Sequence, residues 1–342
     1  MNTELPLVSI CIPSYNAQNT IKQTLESISS QTYPNLVIHV SDNASTDNTL
    51  SVIQSVIDDR IIIHPHQENV GGEGNFTRCI ELGEGKYTAI FHADDVYEPE
   101  MIARQVATLE ANPQVCAVFT AAKKIDENGV VLGKIYPPDC QQGDVVIYNF
   151  KDLLKIMLLR HNFLVCPSVM VRMPVYKEVI KVWGSSYFNF ASDVDTWLRL
   201  ARSAPIAVIN EPLMRYRVSL TNTPLLVARR IQRHDFFKVM DHYLALPEVL
   251  PMLSAADLRH YGWLERHENV VCAMNLLSIG QIDQADRLLD GFFSWDALYA
   301  ALVTRRGLVT LITGTYLKIA MQFGVSTAMA KLVKKMKQIL RR

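Results

Sequence analysis

The sequence predicts an α/β fold in which a mostly parallel β-sheet is flanked by helices and followed by a helical C-terminal region. Over the first 120 residues, short apolar runs alternate with longer amphipathic stretches, which is typical of successive strand–helix units. Strands of this kind form parallel sheets whose faces are covered by helices. From about residue 224 onward the apolar residues recur with helical spacing, with a break at PEVLP (247–251).

Five apolar runs predict the buried strands of the first half. They are LVSICI (7–12), LVIHVS (36–41), IIIH (61–64), YTAIFH (87–92) and VCAVFT (115–120). Helices are predicted between them, with Asp47 opening the second and Pro99 in the first turn of the fourth. Their ranges are 19–31, 47–57, 74–82 and 99–111. Because ligands bind at the carboxyl ends of parallel strands, we expect the site in the loops that follow these strands.

The rest of the chain predicts a second half of the first domain and then a helical region. Residues 121–150 are rich in turn residues and favour a loop or a small hairpin. The elements that follow are a helix at 151–160, a strand at 163–172, a helix at 192–203 and the strands PIAVIN (205–210) and LMRYRV (213–218). We therefore place one domain at 1–222, with halves 1–120 and 121–222, before a helical region at 223–342.

Composition is that of a globular protein, with 49% hydrophobic and 20% charged residues and a formal net charge of zero. Because the net charge is zero, the chain has no overall positive electrostatic field that would attract a nucleic acid. The six cysteines are scattered without metal-like spacing, and the N-terminus MNTELP is polar. We therefore expect a reducing, cytoplasmic compartment. No run of about 18 apolar residues predicts a membrane-spanning helix.

Two of the loops offer contacts for a nucleoside. In IPSYNAQNT (12–20), Pro13 and Tyr15 follow the first strand, where a rigid turn and an aromatic ring could flank a flat base. An ordinary strand-to-helix turn is the alternative. In VSDNASTDNT (40–49), Asp42 stands at a strand end and could accept hydrogen bonds from a base or ribose, whereas Asp47 favours helix capping.

Two further loops offer contacts for a diphosphate and a metal ion. ENVGGEGNFTR (68–78) places glycines before a helix, where backbone N–H groups can approach phosphates, although such turns are common. In FHADDVYEP (91–99), the adjacent carboxylates of Asp94 and Asp95 repel one another unless a cation joins them. Oxygen ligands of this kind suit Mg²⁺ or Mn²⁺. Helix capping would explain one of the two, most naturally Asp95.

Together these loops resemble the family 2 inverting glycosyltransferases, which have a GT-A, Rossmann-like fold. The resemblance covers about residues 5–220 and is carried by the blocks from VSICIPSYNAQNT to VSDNASTDNT (8–49) and from ENVGGEGNFTR to FHADD (68–95). It implies nucleotide-sugar contacts from both blocks, and a metal ion on Asp94, supported by Asp95, that bridges the diphosphate. The implied contact residues are Pro13, Tyr15, Asp42, Asn69, Gly71, Asn75, His92 and Asp94.

One position departs from the family pattern. The family usually has an aspartate two residues before the metal ligand, and here that residue is His92. A neutral imidazole at this position could contact the ribose or the metal shell. A histidine that only satisfies a backbone group is the alternative.

Two segments after residue 190 complete the resemblance. In SDVDTWLRLARS (192–203), the family alignment implies that Asp193 is the catalytic base, with Ser192 where a glutamate often stands and Asp195 on another helix face. A helix-start carboxylate is the alternative for Asp193. In LMRYRVSLTN (213–222), Arg217, or less favourably Arg215, could reach the diphosphate, with surface salt bridging as the alternative.

The resemblance implies transfer of a sugar from a nucleoside-diphosphate sugar to a glycan or lipid-linked acceptor in bacterial surface polysaccharide biosynthesis. We favour a UDP-sugar donor, with a dTDP-sugar next. A catalytically silent nucleotide-sugar-binding scaffold subunit is the alternative, because His92 replaces the usual aspartate. A nucleotidyltransferase is disfavoured, since the chain opens with PSYNAQNT rather than a phosphate loop rich in glycine and arginine.

The C-terminus predicts a cationic amphipathic helix. After Asp296 the chain has no Asp or Glu and nine Lys or Arg residues. One helical face carries Met329, Leu332, Val333, Met336 and Leu340. Because cationic amphipathic helices bind anionic membranes, we expect peripheral contact of 315–342 with the inner face of the cell membrane. A helix docked on the domain, or attachment to a partner enzyme, is the alternative.

Overall fold

A ten-stranded mixed sheet organises the first two thirds of the chain. Its first four strands are β1 (Val8–Ser14), β2 (Leu36–Asp42), β3 (Ile61–Pro65) and β4 (Tyr87–Ile90). They lie in the order β3-β2-β1-β4, and all are parallel. The predicted parallel half-sheet is therefore confirmed, and the carboxyl ends of β1, β2 and β4 meet at one edge.

Four helices connect and cover this half. They are α1 (Ile21–Ser29), α2 (Thr49–Gln54), α3 (Gly71–Leu82) and α4 (Met101–Ala111). Helix α1 buries Ile21, Leu25 and Ile28, which recur at helical spacing on the face that packs on the sheet. Helix α2 begins two residues later than predicted, because the Asp47 carboxylate accepts hydrogen bonds from the backbone N–H and hydroxyl of Thr49.

The second half of the sheet is mostly antiparallel. Its strands are β5 (Val96–Tyr97), β6 (Ala117–Ile125), β7 (Val131–Ile135), β8 (Val145–Tyr148), β9 (Met170–Arg172) and β10 (Ile206–Arg217). Strand β9 is antiparallel to β4 and β6, whereas β6 and β10 are parallel. Strands β6 and β7 form the hairpin that was one of two predictions for residues 121–150.

Two strand predictions are corrected. The segment predicted as a strand at 163–172 begins with a 3₁₀ turn, Cys166–Ser168, and only 170–172 pair in the sheet. The two strands predicted at 205–218 form one strand, β10, whose register shifts around Pro212. Proline lacks the N–H that the ladder requires, so the pairing is interrupted while the chain continues in the same direction.

The remaining helices follow in chain order. They are α5 (Phe150–Arg160), α6 (Met173–Val175), α7 (Ser192–Ser203), α8 (Asp235–Leu244), α9 (Ala255–Ser278), α10 (Ile282–Leu288), α11 (Trp295–Val303) and α12 (Arg305–Gln322). Helix α9 starts at a capping box in which the side chains of Ser254 and Asp257 bond each other's backbone N–H groups. The predicted break near PEVLP corresponds to the segment between α8 and α9.

The computed structural model describes residues 5–138, 141, 143–184, 187–218 and 230–323. They form two compact units. The sheet unit comprises the described residues of Met1–Leu154 and Asn162–Leu220, and the helical unit comprises those of Lys155–His161 and Thr221–Arg342. Residues 155–161 therefore group with the helical unit. The amphipathic face expected at 329–340 lies outside the described residues.

The helical unit has its own core, which contains Val270, Met274, Leu277, Phe292 and Leu317. Among the residues that the structure describes, no helix combines the length and apolar character required to cross a membrane.

Gly85 and Gly129 provide a matched test of the close packing before β4. Both have positive φ, +73° and +84°, so alanine at either position meets a left-handed penalty of about 1–2 kcal/mol. An added Cβ at Gly85 would lie 2.6 Å from the Leu7 carbonyl oxygen, whereas one at Gly129 would have no described atom within 4 Å apart from its neighbours in the chain. We expect Gly85→Ala to lower the midpoint of thermal unfolding more than Gly129→Ala does, as measured by circular dichroism. Equal shifts would contradict this contact.

Candidate functional site

A cavity of about 590 Å³ opens at the carboxyl ends of β1, β2 and β4, where the sequence places the site. Its volume is typical of small-molecule sites. The lining residues are Pro13, Ser14, Tyr15, Asn16, Ala17, Thr20, Asn43, Asn69, Gly72, Asn75, Phe76, His92, Ala93 and Asp94. Of the predicted contact residues, the structure brings Pro13, Tyr15, Asn69, Asn75, His92 and Asp94 to this cavity. Asp42, Gly71, Asp95, Asp193 and Arg217 do not line it.

The loops after β1 and β2 are hydrogen-bonded to each other along one wall of the cavity. The Asn16 backbone N–H donates to the Ser45 hydroxyl at 3.0 Å, and the Asn16 side-chain oxygen accepts from the Thr46 N–H at 2.9 Å. Asn16 has a positive φ of 48°, which this residue type tolerates better than most. The adjacent Tyr15 stays half exposed, so its ring is available to a ligand.

Asp42, a predicted nucleoside contact, does not line the cavity. Its side chain is fully buried, and its carboxylate accepts hydrogen bonds from the backbone N–H and hydroxyl of Ser45. In this structure it shapes the loop after β2 and does not face the cavity. The next residue, Asn43, lines the cavity instead, which sequence reasoning missed.

Asparagine side chains fix the start of α3 against the sheet. Asn43 donates to the Asn69 side-chain oxygen at 3.0 Å and the Gly71 carbonyl at 3.2 Å, and it accepts from the Val70 N–H at 2.9 Å. Buried Asn75 accepts from the Ser41 hydroxyl at 2.6 Å and donates to the Ser41 carbonyl at 3.0 Å. The amino end of α3, where unpaired N–H groups favour anions, is therefore held at the cavity. Gly71 contributes to this turn, and Gly72 reaches the cavity.

The predicted metal ligands lie together. One ligand atom each from His92, Asp94 and Asp95 lies within 4.8 Å of the others. Asp94 is exposed and Asp95 is fully buried. Burial and the Asp94 charge raise the pKa of Asp95 well above its usual value. Burial lowers the pKa of His92, which favours the neutral imidazole expected from the sequence.

The donor set fits a divalent cation. Asp95 Oδ2 and His92 Nε2 are buried without a hydrogen-bond partner in the part of the chain that the structure describes. Asp95 Oδ2 is 3.8 Å from His92 Nδ1, beyond hydrogen-bond range. A buried carboxylate oxygen in this state is costly, and a cation would remove that cost.

Arg217 is placed differently from the prediction. Its Nε donates to the Asp94 carbonyl at 2.7 Å and its Nη2 to Gln23 Oε1 at 2.7 Å, while its Nη1 contacts the carbonyls of Asp126 and Glu127. Its backbone N–H donates to Asp95 Oδ1 at 2.7 Å. The guanidinium is therefore occupied by protein acceptors, and Arg217 holds the carboxylate loop rather than facing the cavity.

Arg215 forms the surface ion pair that was its alternative. Its Nε lies 3.1 Å from the Glu98 carboxylate.

Asp193 lies in the first turn of α7 and is half buried. Its carboxylate accepts from the Val194 N–H at 2.8 Å and from the Asn162 side chain at 3.4 Å. Burial raises the pKa of Asp193 to about 6. Asp195 is separate, since its carboxylate pairs with Arg199 at 3.0 Å.

Two contacts connect α7 and its preceding loop to α3. The Ser192 hydroxyl donates to the Glu73 carboxylate. The Trp183 backbone N–H donates to the Thr77 hydroxyl at 3.1 Å. Because Gly72 and Asn75 of α3 line the cavity, these contacts fix the start of α7 relative to it.

Phe76 is a second cavity residue that sequence reasoning missed. Its ring makes an edge contact with His92, with centroids 5.5 Å apart, and packs on Trp183 at 4.7 Å. Its position one residue after Asn75 in the central motif was the available signal.

Comparisons with known proteins agree with this geometry. The family model described as glycosyl transferase family 2 matches residues 9–179. An uncharacterized glycosyltransferase of Haemophilus influenzae is 31% identical over 265 residues, covering 75% of this chain and 81% of that protein. An Escherichia coli protein named UDP-Glc:alpha-D-GlcNAc-diphosphoundecaprenol beta-1,3-glucosyltransferase WfaP is 31% identical over 146 residues, covering 42% and 57%.

A solved structure shares the fold. Residues 1–349 of Staphylococcus aureus TarS, in complex with UDP-GlcNAc, superpose with a TM-score of 0.53 at 16% identity, covering 92% of this chain and 81% of that one. The GT-A fold predicted from the motifs is therefore confirmed. With the family model and the Haemophilus relative, it follows that the chain belongs to glycosyl transferase family 2.

Proposed function

We propose that this chain is a metal-dependent inverting glycosyltransferase that transfers a sugar from a nucleoside-diphosphate sugar to an acceptor hydroxyl. The observation that carries the proposal is the cluster of His92, Asp94 and Asp95 at the edge of the cavity. A buried, unpartnered carboxylate oxygen beside an exposed carboxylate suits a cation held jointly with a diphosphate.

The wall formed by the loops after β1 and β2 would bind the nucleoside. Pro13 and half-exposed Tyr15 offer a rigid turn and a ring for the base, and Asn43 and Asn69 offer polar side chains. The diphosphate would lie toward the amino end of α3, near Gly72 and Asn75. In this arrangement Asp42 acts through the loop that it holds.

Asp94 and Asp95 would hold Mg²⁺ or Mn²⁺, with His92 in its shell. The ion would supply positive charge that stabilises the departing diphosphate. Arg217 acts as a positioning residue, because its guanidinium and backbone N–H hold the Asp94 carbonyl and the Asp95 carboxylate.

Asp193 would act as general base. Inversion requires one displacement in which the acceptor oxygen bonds to the anomeric carbon, the bond to the diphosphate breaks, and the acceptor proton passes to the Asp193 carboxylate. Burial raises the pKa of this carboxyl to about 6, which makes its ionised form a stronger base.

A UDP-sugar is the favoured donor, with a dTDP-sugar next. The name of the WfaP relative specifies UDP-Glc and a diphosphoundecaprenol acceptor, which supports a UDP-sugar and a lipid-linked saccharide or glycan in polysaccharide biosynthesis. Such an acceptor would place the enzyme in the cytoplasm at the inner face of the cell membrane, with 315–342 contributing contact.

A donor screen with and without Mn²⁺ tests the proposal, scored by nucleotide binding and release. We expect Asp94→Asn to weaken Mn²⁺-dependent binding of UDP by at least about 10- to 100-fold, because the cluster loses one negative charge. Isothermal titration calorimetry measures this effect. Asp59→Asn, an exposed carboxylate of the same unit, should match wild type. Unchanged Mn²⁺-dependent binding in Asp94→Asn would rule out the metal assignment, and UDP binding without turnover of any donor would favour a silent scaffold.

Asp193→Asn should lower kcat by about 10²- to 10⁴-fold while donor binding is retained, because only proton removal is lost. The wild-type rate should rise with pH around the pKa of about 6, since the base must be ionised. Asp195→Asn is the matched control, as that carboxylate pairs with Arg199 on the same helix. Normal turnover by Asp193→Asn would show that Asp193 is not the general base.

The same variant should also change stability with a defined pH dependence. The folded-state pKa of Asp193 lies above its ordinary value of 3.8, so the unfolded carboxyl ionises first and the folded state is destabilised as pH rises from about 4 to 6. Asp193→Asn should therefore raise the unfolding midpoint at about pH 8 but not at about pH 4. Scanning calorimetry at both values measures the difference, and a stabilisation independent of pH would contradict the assigned burial.

Ser192→Ala tests the link between α3 and α7. Losing the bond to Glu73 should lower kcat by about tenfold with little change in the donor KM, because the base is displaced by a fraction of an ångström. Ser192→Thr, which keeps a hydroxyl, should recover part of the rate, and Ser203→Ala at the other end of α7 is the control. A loss confined to the donor KM would show that the pair does not position the base.

A further inference from the structure

Helix α11 has large apolar residues on its exposed side and small residues on its buried side. Ala297 and Ala300 face the core of the helical unit. Trp295 is 88% exposed and Leu302 is 84% exposed. Together with Leu298, Tyr299 and Val303, they recur at i, i+3, i+4, i+7 and i+8, which is one helical face. A surface helix normally shows the opposite arrangement.

Helix α12 repeats the pattern. Its buried residues are Thr310, Gly314, Leu317 and Ala320. Its exposed residues include Leu308, Val309, Ile312 and Ile319. We call the exposed apolar residues of α11 and α12 the outer face; its members are Trp295, Leu298, Tyr299, Leu302, Val303, Leu308, Val309, Ile312 and Ile319. Leu311 of α12 lines a cavity of about 280 Å³ with Trp295 and Leu298, which joins the two helices on this side.

Close packing on the inner side prevents either helix from rotating the outer face inward. A Cβ added at Gly314 would lie 2.1 Å from the Phe292 ring, and one at Gly307 would lie 2.2 Å from the Ala300 carbonyl oxygen. These contacts require residues without side chains at the helix interface, so the large residues must point outward.

The positive charge of the sequence around and after the outer face indicates the chemistry of its partner. Many exposed large apolar side chains on neighbouring helices favour an interaction site, and tryptophan and tyrosine favour the boundary between water and lipid. After Asp296 in the first turn of α11, the sequence has nine charged residues, and all nine are Lys or Arg. An apolar face followed by purely cationic sequence complements an anionic lipid surface.

We propose that the outer face binds the surface of a membrane containing anionic lipid, with α11 and α12 lying along it. The proposed contact is peripheral, with the outer face at the lipid surface. The proposal places the main contact at 295–319, ahead of most of the segment 315–342 that the sequence indicated. It stands independently of the proposed transferase activity.

Vesicle flotation of the full chain tests it, with phosphatidylcholine vesicles and with vesicles that also contain phosphatidylglycerol. Wild type should float with the anionic vesicles and much less with the neutral ones. The triple variant Trp295→Ser, Leu302→Ser, Ile312→Ser should lose at least about tenfold in partitioning, because these side chains supply the apolar contact. Ile57→Ser, which changes a 98% exposed isoleucine of the sheet unit, is the matched control and should float as wild type does.

Two alternatives to membrane binding by the outer face predict different results in these experiments. If the face joins two copies, wild type will be dimeric by light scattering, the triple variant monomeric, and neither will bind vesicles. If the residues beyond 323 alone carry membrane binding, changing Lys331, Lys334, Lys335 and Lys337 to Gln will abolish flotation while the triple variant still floats. Either outcome overturns the proposal. Circular dichroism of the triple variant confirms that it is folded.

Discussion

The loop at the end of β4 is the constraint on which the site depends, because it must hold two adjacent carboxylates at the edge of a buried sheet. Helix α1 and the residue before it hold the loop from one side, because the hydroxyls of Thr20 and Thr24 donate to the carbonyls of Ala93 and Asp95 at 3.0 and 2.7 Å. Arg217 fastens it from the other side. Most of these donors engage backbone carbonyls, so the exposed Asp94 carboxylate and one oxygen of Asp95 stay available.

These hydrogen bonds stabilise the loop and leave carboxylate oxygens of Asp94 and Asp95 available. The energetic cost is limited to a few buried carboxyl groups. Burial of the unpartnered Asp95 oxygen and of the ionised Asp193 carboxylate is unfavourable in the folded protein taken alone. Structural roles alone would favour their replacement by neutral side chains. Asp95 follows β4, and Asp193 lies on α7, which the Ser192–Glu73 bond connects to α3. Buried carboxyl groups with shifted pKa values are frequent in functional sites.

The sequence predicted the sheet half and the cavity because both depend on local patterns. Apolar runs marked β1 to β4, and parallel strands necessarily bring their carboxyl ends together. The contacts of Arg217 could not be predicted, because its partners lie 90 to 194 residues away in the chain, where no local pattern applies. The contact between Asp42 and Ser45 was missed for a different reason. Ser45 is only three residues away, and a short side chain at a turn bonds its own loop readily.

The helical unit shows a further limit of sequence patterns. Periodicity predicts that 295–322 are helical, but it does not say which face of a helix points inward. In α11 and α12 that choice is made by Gly307 and Gly314, whose close contacts with Ala300 and Phe292 place small residues inside. An apolar stripe on a helix normally faces the core, whereas in α11 and α12 it is exposed.

His92 stands in the sequence where the family usually has an aspartate, and in the structure it lies beside Asp94 and Asp95. A cation at the cluster would meet two carboxylates and a neutral imidazole, rather than a third carboxylate, so the site carries one less negative charge. Coulomb attraction for the free ion is reduced, whereas attraction for an ion already carrying a diphosphate is less affected, because the phosphates supply charge of their own. The imidazole would thus shift binding toward the ion and nucleotide together, and Phe76, which contacts His92 by its edge, restricts the orientation of the ring.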